Sequence, residues 1–347
     1  MPAAKWSRLI GTQRLYRSSQ TVTVIGQQAY IFGGELIPRQ PIDNKFDVIE
    51  ISNKLGNNYF CESGFNLIFA DTSAQTLPPP TEAPAPRVGS ASTALRGKIW
   101  IFSGRGGLEM QPVEEHGAFW CYDPKASKWT LIRPANETAY PAGRSYHCVT
   151  SNGTNTIFVH AGCPESGRLS DFWSFDIETN SWTELPSAPG PARGGASIAY
   201  NQGKIYRVNG FDGTIEIGGV VDVFDIAAQS WTTVSYTPDG VRAPEARSVA
   251  ALLALTIHGK ANLVTMFGER DPSALGHAGA GKMLADAWAW DIELAEWHKL
   301  ETDGETPEPR GWFDADVVHD EKADAIILHG GINEENKRLG DVWRLSF

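Results

Sequence analysis

The chain has 347 residues and a formal net charge of −11 at pH 7, with 35 glycines, 21 prolines and 12 tryptophans. This acidic balance leaves no long basic groove, which argues against nucleic acid as a partner. The sequence contains no apolar run long enough to cross a bilayer, and its first residues, Met-Pro-Ala-Ala-Lys-Trp-Ser, contain no apolar signal core. We therefore expect a cytoplasmic protein without a membrane partner.

One pattern occurs six times along the chain. Each copy opens on an arginine followed by small or apolar residues, and a β-rich run then ends in glycine, as in Phe32-Gly-Gly and Phe102-Ser-Gly. The four middle copies continue with an aromatic-Asp pair and a tryptophan six residues after the Asp. The opening arginines are Arg17, Arg87, Arg144, Arg193, Arg247 and Arg310. Their spacing of roughly 50–70 residues is near that of kelch repeats, about 50.

This pattern predicts an all-β fold, a six-bladed kelch-type β-propeller whose blades begin near the six arginines. Residues 1–347 are expected to form a single domain, because no linker separates two halves. Each blade should contain four antiparallel strands, with the glycine-ended strand second and the tryptophan strand outermost. Each tryptophan is expected to pack between two blades, and the six arginines are expected to be structural.

The two ends of the chain predict how the propeller closes. The segment Lys5–Ile10 precedes the first arginine and has strand character, whereas the last copy ends on its third strand, Asp341–Phe347. We expect the N-terminal strand to complete the last blade, which would cover two sheet edges. In the first blade, an insertion at residues 53–64 precedes the apolar run Asn66–Ala70, where the outer strand is predicted.

The longest departure from the repeat is a glycine-rich loop in the fifth blade, Met266–Lys282. It contains two carboxylates and one imidazole, those of Glu269, Asp271 and His277, within nine residues. Carboxylate and imidazole together suit Fe(II), Mn or Zn. The loop is therefore either a metal site or an ordinary surface loop, and the spacing leaves both readings open.

Several segments, taken in order, make the chain resemble one family specifically. They are Phe32-Gly-Gly-Glu-Leu-x-Pro with Ile42-Asp43, Gly104-Arg105, Arg168 before the third aromatic strand, Gly268-Glu269, Gly276-His277, and Pro309-Arg-Gly-Trp312. They resemble the plant specifier proteins of glucosinolate breakdown, which include nitrile-specifier, epithiospecifier and thiocyanate-forming proteins. The resemblance extends nearly end to end, apart from the insertion in the first blade.

The resemblance implies a ferrous iron site on the fifth-blade loop. In the family a Glu, an Asp and a His bind Fe(2+), and the Glu and His positions correspond to Glu269 and His277. The family's Asp position corresponds to Ser273, so the middle carboxylate is missing here. Asp271 lies two residues earlier and is the expected replacement. Glu269, Asp271 and His277 are thus the predicted metal ligands, with Glu269 and His277 also the predicted catalytic residues.

The resemblance also implies where a substrate would bind. Two family arginines that hold the substrate's sulfate correspond to Arg105 and Arg168, and the planar guanidinium suits bidentate contact with an oxyanion. Trp312 would form an apolar wall of the pocket. The family's first-blade lysine corresponds to Gln40, and the neighbouring Arg39 is the predicted substitute.

The leading hypothesis is a specifier-like, iron-dependent lyase that binds a small anionic or polar, unstable metabolite and directs its conversion, of the nitrile-forming type or a related one. The alternative is a non-catalytic kelch protein that binds a protein partner, since fold does not determine function. A galactose-oxidase-like enzyme would need a copper-ligand set with a Cys-Tyr pair, which the sequence does not contain.

Overall fold

The computed structural model describes residues 4–51, 74–136, 139–275, 279–320 and 323–347. The regular elements of these residues are β-strands, apart from one 3-10 turn at Gln13–Leu15. The prediction of an all-β fold is confirmed.

The strands are short and follow the repeats. In chain order they are β1 (Ala4–Gly11), β2 (Ser18–Ile25), β3 (Gln28–Ile37), β4 (Gln40–Pro41), β5 (Phe46–Glu50), β6 (Ala74–Leu77), β7 (Arg87–Val88), β8 (Ala91–Leu95), β9 (Lys98–Phe102), β10 (Arg105–Gly106), β11 (Gln111–Pro112), β12 (Phe119–Asp123), β13 (Lys128–Ile132), β14 (Cys148–Ser151), β15 (Thr156–Gly162), β16 (Leu169–Asp176), β17 (Ser181–Leu185), β18 (Ser197–Asn201), β19 (Lys204–Val208), β20 (Val220–Asp225), β21 (Ser230–Ser235), β22 (Ala251–Ile257), β23 (Lys260–Met266), β24 (Glu269–Arg270), β25 (Lys282–Met283), β26 (Ala287–Asp291), β27 (Glu296–Lys299), β28 (Thr302–Asp303), β29 (Asp314–Val318), β30 (Ala325–His329) and β31 (Asp341–Ser346).

Among the described residues, the main sheets follow one another along the chain. Their strand orders are β2-β3-β5-β6 with β4 beside β3, β8-β9-β12-β13, β14-β15-β16-β17, β18-β19-β20-β21, β22-β23-β26-β27 and β29-β30-β31-β1-β28. Paired strands are antiparallel except β1 and β28. We number these sheets one to six in that order. Two small ladders, β7-β10-β11 and β24-β25, lie in connections of sheets two and five.

The N-terminal strand lies in the sixth sheet, beside the last strand of the chain. Trp6 of β1 faces Leu345 of β31 across an antiparallel pair. The Trp6 indole is buried and contacts Phe267 of the connection after β23 at 5.8 Å and Trp343 of β31 at 6.5 Å between ring centroids. One strand from the start of the chain therefore links the sixth sheet to the fifth.

The outer-strand tryptophans pack each sheet onto the one before it. Trp129 of sheet two stacks on Phe46 of sheet one, with 5.2 Å between ring centroids and 9° between ring planes. Trp182 of sheet three stacks in the same way on Phe119 of sheet two at 5.4 Å, and its indole N–H donates to a sheet-two carbonyl, that of Gly117. These contacts confirm that the tryptophans pack between sheets.

The opening arginines are structural, as the repetition predicted. Every one of the six is almost fully buried. In each arginine, Nη1 donates to the carbonyl of the residue just before the last glycine of the glycine-ended run. Arg310, for example, donates to the Gly330 carbonyl at 3.0 Å. Five also pair with a carboxylate of their own sheet, as in Arg310–Asp341 at 2.7 Å. The exception is Arg193, because Asp222 of its sheet pairs with Arg207 instead.

Six backbone hydrogen bonds join the sheets in a ring. The ring residues stand two positions after the opening arginines: Ser19, Gly89, Tyr146, Gly195, Val249 and Trp312. Each amide donates to the carbonyl of the ring residue before it, and Ser19 donates to Trp312, at N–O distances of 2.7–3.1 Å. All six have a positive φ, between 46° and 61°. The first strands of the six sheets therefore begin around one common axis.

The first sheet requires one correction. The outer strand was predicted at Asn66–Ala70, which lies outside the described residues. The strand that pairs with the outer edge of β5 is β6. Its Thr76 hydroxyl donates to Asp47 at 2.6 Å, and Leu77 packs into the core between sheets one and two. The run at 66–70 is more apolar than β6, so apolar content alone favoured the other segment.

The first strands enclose a central cavity of about 770 Å³. Its described lining includes Asp314 and Asp316 of β29 and contains neither lysine nor arginine. The carboxylates accept hydrogen bonds from the Val22 and Val24 amides of β2, at 2.6 and 2.7 Å. Burial raises the pKa of Asp314 to about 7 and that of Asp316 to about 6.

These carboxyls make stability pH-dependent. An unfolded Asp ionises near 3.8, whereas the folded chain keeps Asp314 protonated up to about pH 7. The free energy of unfolding should therefore fall as pH rises from about 4 to 7, and then level off. We expect Asp314→Asn to be more stable than the wild type at pH 8 by about 1–2 kcal/mol, since the cavity is partly solvated, and to show little gain at pH 4.

Urea unfolding at pH 4 and pH 8 measures this difference. Glu184→Gln, which removes an exposed carboxyl from β17, is the matched control. An Asp314→Asn variant with the same stability difference from wild type at both pH values would contradict the assignment.

Candidate functional site

Six residues surround the ring at one end of the cavity, one from each sheet. Each pairs with the residue that follows an opening arginine. Glu35 lies near the end of β3, and the other five lie in the connection after the second strand of their sheet. They are Glu35, Arg105, Cys163, Phe211, Glu269 and Ile332. We call these six the mouth residues. The repeat thus brings together side chains that are distant in sequence, and it places two predicted site residues, Arg105 and Glu269, at equivalent positions.

Glu269 is the most buried acid at the mouth, with 6% of its surface exposed. Its Oε1 accepts a hydrogen bond from the Gly281 amide at 2.6 Å. A side chain at Gly281 would lie 2.5 Å from the carbonyl oxygen of Asp271, so only glycine fits. Burial raises the pKa of Glu269, and the Gly281 amide and the Trp312 side chain partly offset that shift. The site therefore holds a desolvated carboxyl that a cation would stabilise.

The other two predicted ligands are not assembled with Glu269 in the described part of the chain. The Asp271 side chain is 71% exposed, and its carboxylate lies 4.0 Å from the Arg270 guanidinium. His277 lies outside the described residues. Within those residues, no group of three or more His, Cys, Asp or Glu side chains is placed to hold a metal ion. The triad of Glu269, Asp271 and His277 stays a prediction.

Ser273, at the family's Asp position, has a local role. Its hydroxyl accepts a hydrogen bond from the Leu275 amide at 3.1 Å, which closes a tight turn. A side chain at Gly279 would come within 2.1 Å of the Ser273 hydroxyl. The serine thus shapes the loop, and no carboxylate is present at this position.

Sequence reasoning missed one carboxylate at this side of the mouth. Glu216 lies in the connection of sheet four and bridges to Phe211. Its Oε1 is buried and has no hydrogen-bond partner among the described residues. Burial raises the pKa of Glu216 to about 7, and the charges of Glu269 and Asp271 raise it as well. No pattern in the sequence indicates that Glu216 and Glu269 influence each other, because their two loops belong to different repeats.

The two predicted substrate arginines differ in how many of their donors are already hydrogen-bonded within the protein. Arg105 donates to the Ser145 hydroxyl at 3.0 Å and to the carbonyls of Met110 and Pro164 at 3.0 and 2.7 Å. Its guanidinium therefore already ties the connections of sheets two and three together. A direct contact between Arg105 and an anion would need some of these bonds to be exchanged.

Arg168 is held more loosely. Its guanidinium lies over the Phe211 ring, 5.9 Å from the centroid, and Nη1 donates to the Gly167 carbonyl at 2.8 Å. Its Nε is buried and has no hydrogen-bond partner within the described ranges. Cys163 lies close to both arginines. Burial raises the pKa of its thiol above the ordinary value, and the charges of the two arginines offset only part of that rise. Arg168 is thus the guanidinium with donors left for a ligand.

Trp312 and Arg39 occupy different parts of the mouth. Trp312 is half-buried in the ring beside Glu269, and its indole meets the Tyr146 ring edge to face, with 5.1 Å between centroids. Arg39 is an exposed residue whose amide donates to Glu35 at 2.6 Å. Glu35 in turn pairs with Arg338 at 2.8 Å. Trp312 is therefore at the axis, whereas Arg39 is on the rim.

Comparison with known proteins agrees with the repeat pattern. The model of the KLHDC2/KLHL20/DRC7 Kelch-repeats domain matches residues 19–269. The chain belongs to the kelch-repeat family. A solved structure titled "Structure of YjhT" superposes with a TM-score of 0.70 over 97% of this chain and 96% of that one, at 16% identity. That likeness concerns the fold alone.

Two curated relatives are similar along most of the chain. N-(sulfonatooxy)prop-2-enimidothioate sulfolyase of Thlaspi arvense is 28% identical over 352 aligned residues, covering 94% of this chain and 91% of the relative. Kelch-like protein terF of Aspergillus terreus is 24% identical, covering 94% of this chain and 65% of the relative. The first match confirms the resemblance to specifier proteins. In the described residues, no helix is long and apolar enough to span a membrane.

Proposed function

We propose that the six sheets are the blades of a closed propeller, and that its mouth converts a small anionic metabolite in the manner of a specifier protein. The observation that carries this proposal is the set of Glu269, Glu216 and Arg168 on adjacent connections. It combines a buried carboxylate, an orphaned carboxylate oxygen and a guanidinium with spare donors. The similarity to a sulfolyase along 94% of the chain supports a lyase.

The donor set at this side of the mouth fits Fe(2+). Carboxylate oxygens are suitable ligands, and the orphaned Oε1 of Glu216 is a donor that a cation would satisfy. Glu269 would hold the ion, with His277 and a second carboxylate, either Asp271 or Glu216. When bound, ferrous iron supplies a Lewis acid that polarises the sulfur of an N-(sulfonatooxy)imidothioate.

The remaining steps belong to the chain's own residues. Arg168 would hold the sulfate by its free donors, and Arg105 would add positive charge from the neighbouring blade. Trp312 would keep water away from the reacting carbon by covering the axis. With the sulfate fixed, the N–O and C–S bonds would both break, which gives a nitrile, sulfate and one atom of sulfur in place of the spontaneous rearrangement product. The protein acts mainly by orienting the ligand, a contribution that depends on geometry.

The direct test is the product distribution. The purified protein is mixed anaerobically with Fe(2+) and an N-(sulfonatooxy)imidothioate that a thioglucosidase releases in the same vessel. We expect nitrile to increase with protein concentration at the expense of the rearrangement product. An unchanged product ratio at a molar excess of protein would rule out this activity for that substrate.

Arg168 should contribute strongly to binding of the anion. We expect Arg168→Ala to weaken binding of an alkyl sulfate about 10- to 150-fold, because one charge-assisted contact is lost. Isothermal titration calorimetry with methyl sulfate measures it. Arg242→Ala is the matched control, since Arg242 is 78% exposed and pairs with Asp239 of its own loop. Equal affinities of the Arg168 variant and the wild type would remove Arg168 from the site.

One observation favours the second candidate, a protein-binding surface. Exposed apolar side chains lie at the end of β3 and on several connections between second and third strands: Leu36, Ile37, Leu108, Ile215 and Leu275. Such residues on one face are typical of interaction sites when they are contiguous. A partner bound there would cover the mouth, so the two functions would compete for the same face.

A further inference from the structure

Two of the six ring positions carry aromatic side chains, and both are under backbone strain. Tyr146 has a φ of 51° and Trp312 a φ of 61°, a region that suits glycine and costs a bulky residue free energy. The equivalent positions in sheets two and four are glycines, Gly89 and Gly195. Glycine would thus satisfy the ring's backbone at these places, so the aromatic side chains need another reason.

The Tyr146 side chain reaches across the axis. It starts from sheet three, and a side chain at Gly89 of sheet two would come within 2.9 Å of its ring. Its hydroxyl lies 3.5 Å from the Ser19 hydroxyl of sheet one. Its ring then meets Trp312 of sheet six at an interplanar angle of 88°. A side chain from sheet three that approaches sheets one, two and six must cross the space they surround.

The boundaries of the central cavity agree with this crossing. The lining runs from the ring down the first strands to the turns at their far ends, where Asn152 and Gln202 lie. Tyr146 and Trp312 belong to the lining, but none of the six mouth residues does. Because all six ring residues belong to the lining, the cavity ends at the ring that carries the aromatic pair, and the mouth residues lie beyond that ring.

We propose that Tyr146, packed edge to face on Trp312, is the floor of the mouth pocket and the residue that determines how long a ligand it accepts. This rests on the proposed function, since it takes an anionic ligand to bind at Arg168. The ligand class is an anion with an apolar tail short enough to end at the floor. Longer tails would need the central cavity, which Tyr146 closes to them from the mouth.

The test uses n-alkyl sulfates from methyl to octyl, with affinity measured by isothermal titration calorimetry. In the wild type we expect affinity to rise with the first methylenes and then to stay constant, because the tail has reached the floor. In Tyr146→Gly the rise should continue, by roughly fourfold for each methylene that enters the cavity. Tyr146→Phe keeps the ring and should retain the wild-type profile.

Val249→Gly is the matched control for backbone strain. Val249 is also a ring residue with positive φ, 46°, but its side chain packs beside Gly195 and Gly311. It should keep the wild-type length profile, so a change confined to Tyr146→Gly reports the floor and not a relaxed ring. Circular dichroism establishes that each variant is folded.

The outcomes separate the two proposals. If affinity keeps rising with tail length in Tyr146→Gly but in neither Tyr146→Phe nor Val249→Gly, the assignment of Tyr146 as the floor is supported. A profile that stays constant at the same chain length in Tyr146→Gly and wild type overturns it while leaving the anion site intact. If no alkyl sulfate binds the wild type at any length, the anion site of the proposed function is wrong, and the floor's role in selecting ligands is overturned with it.

Discussion

Deletion of residues 1–10 is expected to destabilise the fold severely or make the protein aggregate. β1 covers the edge of β31, and the deletion would expose that edge together with Trp343 and Phe267. Trp6 alone should be worth about 3–5 kcal/mol when replaced by alanine, because its indole is almost fully buried. Urea unfolding followed by tryptophan fluorescence measures both effects.

The same strand offers an internal control. Ser7 is exposed on the opposite face of β1 from Trp6, so Ser7→Ala should change stability by less than about 0.5 kcal/mol. A synthetic peptide of residues 1–12, added to the truncated protein, should restore part of the lost stability by binding the open edge. If the truncated chain unfolds at the same urea concentration as the full chain, β1 is not the strand that completes the sixth sheet.

The sequence predicts the architecture well because the repeat states each structural requirement several times. The buried arginines bond to carbonyls beside the repeat glycines, and the tryptophans pack on the preceding sheet. Repetition averages out the ambiguity of any single copy. Where the repeat is broken, prediction fails, and the outer strand of sheet one, Ala74–Leu77, was placed too early for that reason.

The site is harder to predict than the fold because its residues meet only through the ring. Glu216 and Glu269 are 53 positions apart by their numbers, and nothing in either loop indicates that the two interact. No motif marks Tyr146 either, since it occupies a position where two other copies have glycine. Comparison of equivalent positions could have indicated Tyr146. Among the residues two places after each opening arginine, only Tyr146 and Trp312 are aromatic.

Resemblance to a family assigns positions but not geometry. It assigns a ligand role to Glu269, whose carboxylate is buried and accepts a hydrogen bond from the Gly281 amide. It also assigned Arg105 to the substrate, yet in this chain Arg105 is bonded to Ser145 and to two carbonyls. The missing carboxylate at Ser273 cannot be resolved by resemblance, because the replacement depends on which side chain faces Glu269.

Glu269→Gln is expected to weaken Fe(2+) binding by at least 10- to 100-fold and to abolish iron-dependent product formation. The amide oxygen can still accept the Gly281 hydrogen bond, so the loop should keep its shape while the charge is lost. Losing a ligand should cost no less than losing a group that only orients one. Anaerobic equilibrium dialysis with Fe(2+) measures the affinity, and thermal unfolding establishes that the variant is folded.

Glu245→Gln is the matched control, because Glu245 is a half-buried carboxylate on the connection before β22 that pairs with Arg270, the residue after Glu269. It should bind iron as the wild type does. Glu216→Gln and Asp271→Asn then identify the second carboxylate, since only replacement of the residue that binds the metal should weaken Fe(2+) binding. Ser273→Asp restores the carboxylate that the family has at this position and should make Fe(2+) binding tighter than in the wild type. If Glu269→Gln binds Fe(2+) as tightly as the wild type, the buried carboxylate serves only the loop, and the metal chemistry implied by the resemblance does not occur at this site.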